Sequence, residues 1–87
     1  MLVLGTQNSQ TYPGRTQAQV DAHETRNAYI KALALANGYG LADVHAAFLS
    51  DPRGLGVLVN SDGVHPEDPG DDLWRDVMKG LFARWVY

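Results

Sequence analysis

Two short apolar segments, separated by a single amphipathic stretch, limit what this chain can fold into. The first is MLVL at residues 1–4, an unbroken apolar run closed by Gly5. A strand with one wet face would alternate with polar residues. An unbroken run suits a strand buried on both faces, as in a parallel sheet. The second is GLADVHAAF, where a strand is expected over about residues 41–45, the run continuing to Phe48. Parallel strands cannot be joined by a tight turn and need a crossover of about a dozen residues or more.

The intervening segment supplies that crossover. After the polar, turn-rich loop TQNSQTYPGR, Thr16 can cap a first helical turn, with Gln19 in the capping-box position. Ala18, Ala22, Tyr29, Leu33 and Ala36 recur at helical spacing and form the expected apolar face, with Asp21, Glu24 and Lys31 opposite. Asn37 and Gly38 both tolerate the left-handed conformation that ends a helix. Residues 49–67 read mostly as loop, with GVLV at 56–59 as a short extended piece. Asp68 and Pro69 open a last helix, Asp71 and Asp72 favour its positive end, and Trp74, Val77, Met78, Leu81 and Trp85 make one apolar face. Gly80 weakens that helix locally.

At 87 residues the chain makes at most one small domain, and 45% hydrophobic against 20% charged residues mark it as globular. Two strands make a poor sheet, and one edge of the first stays unpaired. The expectation is a chain that begins within a larger α/β sheet. The seven Lys and Arg residues are dispersed and the net charge is −3, which argues against a nucleic-acid surface. No apolar run is long enough for a membrane span, and MLVLG is too short for a signal peptide. The absence of cysteine excludes disulfides, thiolate nucleophiles and cysteine zinc sites, and leaves the compartment open.

The chemistry gathers in SDGVHPEDPG, residues 61–70. An Asp three residues before a His in a tight turn can place its carboxylate on the imidazole Nδ1–H. That fixes the tautomer and leaves Nε2 free as a base. Asp62 and His65 have this spacing, with Gly63 between them and Pro66 stiffening the exit. The same residues also read as a solvated Asp–Gly turn carrying an exposed histidine.

In its surroundings this motif resembles the C-terminal part of the SGNH (GDSL-type) ester hydrolases. Their last sequence block is D-x-x-H-P, placed after the final strand and before the C-terminal helix. DGVHPEDPGDDLW stands in that context, with Gly70 where the family often has a glycine opening the helix. LVLGTQNSQTYPGR is similar to the fourth strand of that fold and its following loop, and the strand–helix–strand unit resembles the last βαβ. The resemblance runs over nearly the whole chain, although only the D-x-x-H-P block is specific. It implies a flavodoxin-like parallel-sheet sandwich. Residues 1–87 would be a single partial domain of it, the C-terminal βαβ-plus-helix part, incomplete in this chain. It further implies that Asp62 orients His65, and that His65 is the general base that activates a serine toward an acyl or acetyl ester of a carbohydrate or lipid. No metal or organic cofactor is implied.

The family's G-D-S and G-x-N-D blocks have no counterpart here. GTQNS, ending at Ser9, fails the first at its Asp, and GTQN fails the second. Ser9 therefore reads as a polar loop residue and Ser61 as a turn residue. An upstream segment or another chain must complete the sheet and supply the serine and oxyanion donors, and the chain alone is expected to be inactive. The rival class is a catalytically silent SGNH-like module, used for binding or assembly in a larger multidomain or virion protein. A third is an unrelated small α/β domain in which DGVHP is only a turn. His23–Glu24 opens an H-E-x-x-H pattern, but position 27 is Asn, so His23 reads as a polar helix residue. His45 reads as a packed or strand-end residue and Asp43 as a capping or solvent-facing one. Trp74 and Trp85 read as core.

Overall fold

The apolar opening run forms a strand as its composition predicts, but a short one. A computed structural model describes residues 2–86, with side chains through Phe82. In it β1 (Val3–Gly5) pairs in parallel with β2 (Gly40–Ala42), in the register Val3–Gly40, Leu4–Leu41, Gly5–Ala42. Between them runs the 21-residue crossover helix α1 (Gln17–Asn37). The fold is mixed α/β, and among the described residues its sheet has two strands.

The ends of α1 follow from its sequence. Thr16 Oγ1 accepts from the Gln19 amide at 3.2 Å, and Gln19 Oε1 accepts from the Thr16 amide at 2.9 Å, closing a capping box. Gly38 ends the helix in the left-handed conformation, and the Tyr39 amide reaches back to the Ala34 carbonyl at 2.9 Å.

Its inward face is a correction. The side chains turned inward are Val20, His23, Asn27 and Ala34, while Ala18, Ala22, Tyr29, Leu33 and Ala36 are exposed. The middle of the buried face, His23 and Asn27, is polar because it must satisfy main chain. Asn27 accepts from the Gln7 amide through Oδ1 at 3.0 Å and donates through Nδ2 to the Gln7 carbonyl at 3.1 Å. His23 Nε2 bonds the Asn8 carbonyl at 2.8 Å. Where a strand runs out into a loop, its freed peptide groups need partners, and that need outweighs the apolar count.

Two further expectations give way. The second strand stops at Ala42 instead of continuing to residue 45, because Asp43 caps α2 (Val44–Ser50) by accepting from the Ala46 amide at 3.1 Å. Val44 and Phe48, one helical turn apart, then point together into the core. Residues 56–59 are not an extended piece. They belong mainly to the single turn α3 (Leu55–Leu58), and only Val59 is extended, bridging antiparallel to Pro66.

The last helix, α4 (Asp68–Val86), starts where its Asp–Pro opening predicts, with the Glu67 carbonyl accepting from the Asp71 amide. Val44, Phe48, Leu58 and Val59 form the buried core, against which Leu55, Leu73, Trp74 and Val77 pack. Trp74, Val77 and Leu81 thus face inward as expected, while the expectation for Trp85 falls outside the described side chains. Gly70 is required by proximity: a methyl group there would run into the Leu58 carbonyl, so α4 meets α3 through bare backbone. Among the described residues no helix is long and apolar enough to cross a membrane.

Candidate active site in the loop from Asn60 to Pro66

Six residues between the Val59–Pro66 bridge and its return make a closed, internally bonded loop. The Asn60 amide donates to the His65 carbonyl at 2.7 Å, and the Gly63 amide donates back to the Asn60 carbonyl at 2.9 Å. Asn60 Oδ1 accepts from the Asp62 amide at 3.1 Å. Gly63 has φ 77°, and a Cβ there would lie 2.9 Å from the Thr11 carbonyl and 3.0 Å from Gly14 Cα. A side-chain-free residue at this point lets the short 3-10 turn Tyr12–Gly14 pack directly on the loop. The Thr11 amide adds a bond to the Gly63 carbonyl at 3.0 Å.

Inside the loop Asp62 uses both oxygens. Oδ1 accepts from the Val64 amide at 2.8 Å and the His65 amide at 3.0 Å, an Asx turn extended by one residue. Oδ2 lies 2.6 Å from His65 Nδ1. The His65 ring and the two amides together hold the Asp62 carboxyl at about 2, well below the ordinary value of 3.8. The carboxylate is therefore ionised at neutral pH and can only accept, so Nδ1 carries the hydrogen, and whenever the ring is neutral the lone pair is on Nε2. The side chains are 77% and 46% exposed for His65 and Asp62. A contact that wet adds little to stability. Its specificity lies in orienting the ring.

A cavity of about 330 Å³ opens beside the ring, bordered by Gln7, Asn8, Gln10, His23, His65 and Trp74. A larger one of about 800 Å³ touches Asn60 and Ser61 of the loop but neither Asp62 nor His65. Gln10 borders both.

The other sequence candidates lie apart from this pair. Ser9 is 2% exposed and donates to the His45 carbonyl at 3.0 Å. Ser50 donates to the Ala46 carbonyl and Ser61 to Asn60 Oδ1. Each of the three serines is engaged elsewhere than at His65. Burial alone would raise the Asp43 carboxyl, but bonds from Ala46, Thr6 and Lys31 outweigh it and hold it below the ordinary range. His45 lies in α2 with its ring centroid 6.2 Å from that of His23, and burial pushes its pKa down. Among the described residues no group of three or more His, Asp or Glu side chains is placed to hold a metal ion.

Sequence reasoning passed over Asn8. A lone Asn in a polar loop carries no pattern, and only the fold shows it reaching Val64 and Trp74. Comparison with protein-family models, curated proteins and solved structures finds no match to the chain.

Proposed function

We propose that this chain is the C-terminal segment of a serine ester hydrolase of the SGNH type, the βαβ-plus-helix part of a flavodoxin-like parallel sheet. In this reading it contributes the general base His65 and its orienting carboxylate Asp62. One observation carries it: the 2.6 Å bond from Nδ1 to an ionised carboxylate, inside a loop closed at both ends, on a ring that is 77% exposed. This is the arrangement that removes a proton from an attacking hydroxyl and returns it to the leaving alcohol.

The attacking serine and the oxyanion donors come from another segment or another polypeptide. The outer edge of β1 is where such a segment would join. The ladder to β2 uses the Leu2 carbonyl and the Thr6 amide. By alternation the peptide groups of Val3 and Gly5 therefore face away from β2. A serine arriving at the end of an added strand would need its Oγ within about 2.6–3.2 Å of Nε2. The acyl group then passes to that oxygen as the alcohol leaves, and water, deprotonated by the same imidazole, releases the acid.

Chain 1–87 alone is expected to hydrolyse p-nitrophenyl acetate no faster than a histidine peptide. Adding a segment with a G-D-S block, in cis or as a complementing fragment, restores turnover. In the restored enzyme His65→Ala abolishes nearly all of it, and Asp62→Asn costs as much or less. A folded but inactive complemented protein would instead favour the silent binding or assembly module. A chain that is active alone, and loses activity in Ser9→Ala, would overturn both readings.

A further inference from the structure

One peptide group in the loop is held from both sides. The N–H between Val64 and His65 donates to Asp62 Oδ1 at 3.0 Å, and the C=O of the same peptide accepts from Asn8 Nδ2 at 3.0 Å. Asn8 belongs to the segment leaving β1, 56 positions earlier, and is 9% exposed. Its Oδ1 accepts from the Trp74 indole N–H of α4 at 3.2 Å, and its Nδ2 also donates to the Ser9 carbonyl at 3.2 Å. An indole N–H only donates, so the amide atom facing it must be oxygen. The NH₂ end is then obliged to face the two carbonyls. Trp74 thereby sets which way the Asn8 amide points.

We propose that Asn8 and Trp74 are positioning residues for His65. They fix the plane of the Val64–His65 peptide from the side opposite Asp62, and with it the direction in which the imidazole leaves the backbone. The His65 amide and carbonyl are held by Asp62 and Asn60, and the Asn8 bond to the Val64 carbonyl adds a third constraint on the two peptides that flank the residue. Without it the peptide can tilt and the ring loses its short bond to Oδ2. The importance of this for catalysis rests on the ester-hydrolase reading; the orientation itself does not.

The test reads the ring directly. Long-range ¹H–¹⁵N spectra of the full chain at alkaline pH report which imidazole nitrogen carries hydrogen. The unmodified protein should show the Nδ1–H form. Asn8→Ala should move His65 toward the Nε2–H form preferred by an unrestrained imidazole, and Trp74→Phe should move it in the same direction by less. Trp74→Phe keeps an aromatic ring in the core, so it carries the test if Asn8→Ala fails to fold. A folded variant of either kind with an unchanged His65 spectrum would overturn the proposal. In the complemented esterase Asn8→Ala should lower kcat by roughly ten- to a hundredfold, with KM nearly unchanged. A spectral shift with no esterase activity in the unmodified complement would uphold the positioning and discard the hydrolase reading.

Discussion

Asp62 does at the residue scale what a longer loop would need several side chains to do. It receives two main-chain N–H groups and one ring N–H, so the ionised form is favoured in the folded chain. Its pKa is depressed from 3.8 to about 2. A depressed carboxyl contributes stability that is present above its unfolded value and disappears as the pH falls through its folded one. The Asp62 carboxyl ¹³C resonance should therefore show its protonation step with a midpoint near 2, the folded value. A midpoint at the ordinary 3.8 would show the carboxylate free of the loop. Gly63 is the second single-residue dependence. With φ 77° and the Thr11 carbonyl against it, Gly63→Ala should destabilise the chain by roughly 1–3 kcal/mol in urea unfolding. Stability unchanged in that variant would mean the turn at Tyr12–Gly14 yields freely.

At the scale of elements, what could be read from the sequence was whatever is written in neighbouring residues. The Thr16–Gln19 box, the Gly38 stop, the Asp–Pro opening of α4 and the Asp62–His65 turn are local patterns, and each is in place. Thr16→Ala should cost about 1 kcal/mol in thermal unfolding through the loss of one capping bond. What could not be read depends on partners far along the chain. Asn27 and His23 look like residues for the wet side of α1, and they are buried because the chain after Gly5 needs them. Asp43 ends β2 because its carboxylate has the Ala46 amide within reach, with Thr6 and Lys31 holding it there. Residues 56–59 offered too few positions for periodicity to separate a helical turn from a strand.

At the scale of the whole molecule, Phe48, at 0% exposed, is the largest fully buried side chain among the described residues. Phe48→Ala should cost roughly 3–5 kcal/mol, most of what a domain of this size possesses, and circular dichroism should show a largely unfolded chain. The unpaired side of β1 predicts self-association at high concentration, which Leu2→Lys, next to the edge and 53% exposed, should reduce in sedimentation velocity runs. A monodisperse monomer at all concentrations would show that the edge is harmless. The Asn27 carboxamide also acts as a ruler. A carboxamide is a peptide group lacking its chain, and by filling both positions on Gln7 it occupies the rung where the next strand residue would bond. Any visiting strand therefore finds a berth from Val3 to Gly5 and no further. Its chain must turn away there, at the level of Gln7 and the mouth of the cavity beside His65, so the length of the berth decides where the visitor's next residue is put down.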